Sequence, residues 1–316
     1  MIRTLARLAA AALLAALFTG CGGGDGSVPA QPEAEEGATL NISTAVDLLQ
    51  LCLESYQMLA DFENGTTFTL PAPYALQAQF NTVEHFPGES ADGAVPIAFI
   101  ATRGNAIYVV FRGTKTIDEW ISDATFTQVD YPYVANGGRT ETGFSAIYAS
   151  IASAMTAKVT SLASGGTTYT RLYITGHSLG GALATLAGPD LAARTPFTQP
   201  VVYTFASPRV GNPVFALVYN AAIGVSWRVA NTNDEAPKVP NTLTTVLGPP
   251  PERKPEFFFY EHVNTEYPIT FGGPIRSVSD LIFNHSSCNY YATLCDKTTD
   301  PAQCKAKSQG LNGCSF

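Results

Sequence analysis

The sequence predicts an α/β fold, a mostly parallel central sheet flanked by helices, and three observations predict it. Short apolar runs alternate with longer helical stretches from residue 95 onward. Several of these runs are apolar at nearly every position, as a strand must be when helices cover both its faces. The peptide Gly176-His177-Ser178-Leu179-Gly180 falls where one such run gives way to a helix.

Residues 43–60 place Val46, Leu49, Leu53 and Tyr56 at helical spacing, with Ser43 or Thr44 as the cap. Residues 95–101 and 106–111 are apolar and joined through Arg103-Gly104-Asn105, which predicts a strand pair with a tight turn. Phe144 to Leu162 is a long Ala-rich helix. Residues 172–175 form a short buried strand, 176–181 a turn and 182–193 a helix. Residues 200–206 are a further buried strand, with a helix after Pro213, and 226–231 another strand. Residues 240–256 read as a Pro-rich loop, and 257–263 as the last strand candidate.

The chain of 316 residues is long enough for one large domain, with 46% hydrophobic and 14% charged residues. Its net charge of −8 argues against nucleic acid and against anionic membrane surfaces as electrostatic targets. Arg3 and Arg7 precede an apolar run, Leu8 to Phe18, that is too short to span a bilayer and has the layout of a secretory signal. The run ends in Leu17-Phe18-Thr19-Gly20-Cys21, which resembles a bacterial lipobox with Phe18 where Leu is usual. The expected division is a signal peptide over 1–20, then a lipidated Cys21 and flexible tether over 21–39, rich in Gly, Pro and acid. The folded domain is expected over 40–316. Export is the expected location, as a lipoprotein anchored at the outer membrane or as a secreted protein.

Cys288, Cys295, Cys304 and Cys314 crowd the tail, 288–316. In an oxidising compartment they can form two disulfides. No His lies among them and no CxxC pair occurs, so the metal reading is weaker. Cys52 falls on an apolar helical stripe and reads as a buried free thiol.

Gly176-x-Ser178-x-Gly180 gains its meaning from its setting. A Ser in a sharp strand-to-helix turn holds a strained backbone and presents its hydroxyl outward. Glycines on either side let strand and helix approach without Cβ clashes. The helix N-terminus places free N–H groups beneath a developing oxyanion. Ser178 is therefore the candidate nucleophile.

Four blocks carry a resemblance: GHSLGGALA at the turn, FRGTKTIDEWISDA (111–124) upstream, and SPRVGNPVF (207–215) and NTNDEAPKVP (231–240) downstream. Together they resemble class 3 lipases, the filamentous-fungal-type triacylglycerol lipase family. The resemblance implies an α/β-hydrolase fold with a short helical lid, and a chain order of Ser, acid, His. Of the four histidines, His177 points away from the nucleophile in an elbow and reads as structural. His85 breaks the order, which leaves His262 and His285. The resemblance implies His285 as general base, on a loop where the family carries its His, and His262 as a non-catalytic neighbour in a strand. It implies Asp234, after strand 226–231, as the acid that orients the base. Asp190 competes by order alone, and a helix-surface role suits it better; Glu235 is expected to point elsewhere.

The oxyanion donors implied are the backbone N–H of Leu179 and that of Thr114, whose hydroxyl can also donate; Arg112 reads as a fork pinning the loop. Ile117, Trp120, Ile121 and Ala124 stand at i, i+3, i+4 and i+7, an amphipathic stretch. The resemblance makes it a lid whose Ile117, Trp120 and Ile121 meet substrate; the alternative is a surface helix packed on the core. The implied partner is an ester lipid, and the chemistry requires no metal or organic cofactor. Phospholipase A1, feruloyl-type or general carboxylesterase activity remain alternatives, with a non-catalytic surface-binding protein as the remote one.

Overall fold

The computed structural model describes residues 39–84, 93–114, 126–248 and 253–316. Cys21, the leader and the tether lie outside these residues, as do His85 and the lid stretch 117–124. Among the described residues, no helix is long and apolar enough to cross a membrane.

The first element is α1 (Ile42–Glu63), longer than its apolar stripe suggests. Its cap is Asn41, not Ser43 or Thr44: the Asn41 side chain accepts the Thr44 N–H at 3.0 Å. Strands β1 (Ala75–Thr82), β2 (Val95–Arg103) and β3 (Ala106–Phe111) follow, then a small pair, β4 (Gln128–Asp130) and β5 (Arg139–Glu141). Helix α2 (Thr142–Ala163), β6 (Arg171–His177), α3 (Leu179–Arg194), β7 (Val201–Phe205), α4 (Pro213–Ala222) and β8 (Val225–Asn231) complete the alternating region. Beyond it come β9 (Leu243–Leu247), β10 (Pro255–Phe259), β11 (Thr265–Ile269) and helices α5 (Val278–His285), α6 (Ser287–Cys295) and α7 (Pro301–Ala306).

The main sheet has seven strands in the order β1-β2-β3-β6-β7-β8-β11. The β1–β2 and β2–β3 pairs are antiparallel; β3, β6, β7, β8 and β11 run parallel. Strand pleating splits its side chains between two cores. Ile107, Val109 and Phe111 join α2, α3 and α4 on one face, while Tyr108 and Val110 join α1 and α6 on the other. The apolar runs of the sequence follow from this double cover.

Two expectations near the end of the sheet are corrected. Residues 257–263 do not supply its last strand: β10 pairs with β9 in a separate antiparallel hairpin. That hairpin also occupies part of the expected loop 240–256. The last strand is β11, paired to β8 from Thr265↔Trp227 to Ile269↔Asn231. It is an edge strand, which tolerates Pro268 and needs few apolar residues, so its sequence signal is weak.

The tail is stapled by Cys288–Cys314 and Cys295–Cys304, and Cys52 is free and buried. The tail is nonetheless more than a surface appendage. Tyr290, Tyr291 and Leu294 are fully buried in the core against α1.

Candidate active site

Ser178 stands between β6 and α3 with φ 60° and ψ −126°, a left-handed conformation that costs a non-glycine residue on the order of 1–3 kcal/mol. The backbone on both sides holds it there. Its N–H donates to the Phe205 carbonyl at 2.9 Å, and its carbonyl accepts from Gly181 N at 2.9 Å. The flanking glycines are sterically required. A Cβ on Gly176 would lie 2.1 Å from the Gly180 carbonyl carbon, and one on Gly180 would lie 2.3 Å from the Phe111 oxygen. The second approach brings the Arg112–Thr114 loop against the N-terminus of α3. Arg112 pins that loop as expected, donating to Pro96 O at 2.8 Å and Gly113 O at 2.6 Å from a buried side chain.

Asp234 is fully buried in the turn after β8. Its Oδ2 lies 2.8 Å from His285 Nδ1 and accepts the Tyr290 hydroxyl at 2.8 Å. Its Oδ1 accepts the Ala236 N–H at 3.0 Å and is 3.1 Å from the same His285 nitrogen. An acceptor-only carboxylate bonded to Nδ1 fixes that nitrogen as the donor and leaves Nε2 as the lone-pair nitrogen. His285 Nε2 is buried and has no hydrogen-bond partner among the described residues.

His285 is not on a loop as expected. It is the last residue of α5, whose end is tied to the Asp234 turn. Asn284 donates from Nδ2 to Asn233 O at 3.0 Å and to Gly273 O at 2.8 Å, and Asn231 Nδ2 donates to Asn284 O at 2.9 Å.

His177 is closer to this pair than its expected structural role implied. Its Nδ1 lies 2.9 Å from the Tyr56 hydroxyl, and its ring centroid is 4.8 Å from that of His285. Burial, and secondarily the nearby His285, hold its pKa well below the usual histidine value. It therefore packs beside His285 as a neutral ring.

His262 is placed elsewhere. Its Nε2 is 2.7 Å from the Pro237 carbonyl, so Nε2 carries the proton. Burial and the Arg228 charge lower its pKa to about 3. Asp190 is also excluded from the pair, but not as a surface residue. It is fully buried, accepts the Tyr148 hydroxyl at 2.5 Å and is paired with Arg194. Glu235 points outward to Lys238 at 2.8 Å. Ile117, Trp120 and Ile121 lie outside the described residues.

The structure thus brings Asp234 and His285 together, and seats His285 on the ring of the residue preceding Ser178. Thr114 and Leu179 are carried by the loop and helix end that Gly180 holds in contact. Sequence reasoning missed Tyr290, Tyr56 and the Asn231–Asn284 brace. Nothing in the sequence separates Tyr290, which reaches Asp234, from Tyr291, which donates to Cys304 O at 2.9 Å instead.

A parallel sheet between two helical layers, with a Ser at a strand-to-helix elbow and a buried Asp–His pair after later strands, is the α/β-hydrolase fold. Rhizomucor miehei triacylglyceride lipase superposes with a TM-score of 0.57 at 27% identity, covering 72% of this chain and 80% of that one. Residues 108–244 match the model of Lipase (class 3). The Rhizomucor miehei lipase sequence is 35% identical over 172 residues, 53% of this chain and 43% of that protein. Secreted mono- and diacylglycerol lipase A of Penicillium cyclopium is 33% identical over 166 residues, 52% of this chain and 48% of that protein. The chain therefore spans less than half the length of these curated relatives.

Proposed function

We propose that the protein is a serine carboxylic ester hydrolase, and within that class a lipase acting on acylglycerols. The observation that carries the reading is the buried Asp234–His285 pair at 2.8 Å, with an open Nε2, packed against the residue that precedes a strained Ser178. In this reading His285 Nε2 takes the Ser178 Oγ proton as Oγ attacks the ester carbonyl. Asp234 holds the Nδ1–H and stabilises the imidazolium that forms. The N–H groups of Leu179 and Thr114 receive the tetrahedral oxyanion. The imidazolium then protonates the leaving alkoxide, and an acyl-Ser178 ester remains. Water, deprotonated by His285, releases the acid and restores the serine.

The acylglycerol assignment rests on the relatives, one a triacylglyceride lipase and one a mono- and diacylglycerol lipase. We assign the acyl-chain contacts to Ile117, Trp120 and Ile121 on their amphipathic pattern. Ser178→Ala should lower kcat by on the order of 10⁵–10⁶ with the fold intact. Parent activity should be measured on a p-nitrophenyl ester chain-length series beside emulsified tri- and diacylglycerol. Residual Ser178→Ala activity within tenfold of the parent removes the nucleophile assignment. A parent confined to soluble short esters makes it a general carboxylesterase.

We read the leader as an export signal and Cys21 as the site of an acyl anchor, from the charge and apolar pattern of residues 1–21. An acyl mass shift on the N-terminal peptide, absent from Cys21→Ser, tests this; a parent without that shift refutes it.

A further inference from the structure

We propose that the outward face of the β9–β10 hairpin docks on a neutral or zwitterionic lipid surface and seats the enzyme there. The proposal rests on the ester-lipid reading above and adds a contact surface to it. Leu243, Leu247, Phe257 and Phe259 are 51%, 62%, 59% and 55% exposed. The register pairs Leu243 with Phe259, Thr245 with Phe257 and Leu247 with Pro255. Alternation along each strand therefore puts all four large side chains on one face. A contiguous apolar face of this kind on a folded domain marks an interaction site.

The hairpin is firmly mounted. Phe258, on the opposite face, is buried, with the Arg139 guanidinium 6.0 Å from its ring. Gln128 Nε2 donates to Phe259 O at 2.8 Å, and Glu261 N donates to Gly211 O at 2.9 Å. Inward packing and a tied base support a two-stranded unit that is marginal alone. None of these ties uses the outward side chains, which stay more than half exposed.

Charge selects the occupant. Glu252, Arg253, Lys254 and Glu256 cancel, so the segment is neutral in a chain of net charge −8. A neutral apolar face can meet uncharged or zwitterionic lipid without the repulsion an anionic film exerts on the rest of the protein. Phe side chains suit such a boundary because their large apolar area leaves water there. Tyr260, directly after β10, adds a further tie, its hydroxyl donating to Phe126 O at 2.9 Å and Thr127 O at 3.1 Å. The family match ends at residue 244, so most of the hairpin lies beyond it.

The test uses the full chain carrying Cys21→Ser, so that no acyl anchor contributes, and flotation with phosphatidylcholine vesicles. The protein should float, and Phe257→Ser with Phe259→Ser should lower partitioning at least about tenfold. Phe62→Ser, an exposed ring on α1, should leave it unchanged, and added phosphatidylglycerol should not strengthen it. Hydrolysis of soluble p-nitrophenyl butyrate should stay within about twofold throughout, because none of these residues touches the reacting groups. Equal flotation of the double variant, or no flotation of the parent, overturns the proposal. So does a dimer in light scattering that the double variant dissociates, which would make a second copy the occupant. Flotation without hydrolysis of any ester removes the esterase reading and supports the docking face; soluble-ester hydrolysis without flotation removes the docking face alone.

Discussion

Tyr290→Phe removes one oxygen from the middle of the Asp234 network and nothing else. That hydroxyl donates to Asp234 Oδ2 at 2.8 Å and accepts the Asn231 N–H at 2.8 Å. A hydrogen bond to a buried charge contributes about 1.5–3 kcal/mol, and an orphaned buried N–H costs about 1–3 kcal/mol. The loss should be about 2.5–6 kcal/mol, which in a domain of this size lowers Tm by roughly 5–20 °C. The kinetic effect comes from looser positioning of Asp234 against His285. Thermal unfolding by circular dichroism and kcat on p-nitrophenyl butyrate measure both. We expect kcat to fall on the order of tenfold, well short of the roughly 10⁴-fold loss of an Asp-to-Asn change at such a position. An unchanged Tm, or a kcat equal to the parent's, would refute the role given to Tyr290.

His285→Ala should cost about as much kcat as Ser178→Ala, because triad members act as a unit, whereas His262→Gln should spare soluble-ester turnover. His262→Gln should also flatten the acid side of the stability curve. The folded pKa of His262 is lowered to about 3, so the unfolded chain takes up a proton first, and stability falls as pH drops from about 6.5 toward 3. Denaturant titrations at pH 7 and pH 4.5 should show a smaller pH effect in the variant; an equal effect sinks the assignment. Reduction of Cys288–Cys314 and Cys295–Cys304 should lower stability by about 2–4 kcal/mol per bridge and depress activity before global unfolding, since α6 carries Tyr290. Parallel losses of activity and ellipticity under reductant would contradict that order.

The buried strands were legible because two covered faces force an apolar residue at nearly every position, as in Ile107 to Phe111. The elbow was legible because its motif falls where a buried strand gives way to a helix, although only Gly176 is dictated by a near neighbour, Gly180, while Gly180 is dictated by Phe111 in another strand. What was not legible depends on long-range pairing. The outward residues of β10 look like core until the register shows that one face of the hairpin has no cover. Strand β11 carries its signal only through its partner β8. Asp190 read as a surface residue because its partner Tyr148 lies 42 positions away, on another helix. The base could be reduced to two histidines by order, but the environments that separate them come from the fold. Pro237 O occupies one Nε2, and the other is open.

The candidate site joins the two cores, and this has a consequence for how it fails. Leu179 and Ala182 in the first turn of α3 belong to the core shared with α2 and α4. The Asp234–His285 pair hangs from the other core: Tyr290 holds the acid and sits on α6, which packs on α1 with Leu294 and the tail cysteines. Tyr56 of α1 meets His177 on the same side, and the His177 ring lies between Tyr56, His285 and Tyr290. The nucleophile and its base are therefore positioned by opposite faces of one sheet. A shift of α6 relative to the sheet can leave Ser178 in its strained turn and still carry the base away from it. Catalytic geometry tolerates only about 0.5 Å of such movement. Perturbations of the tail should thus appear first in kcat, while perturbations of α2 or α4, which hold the nucleophile's core, should appear first in stability.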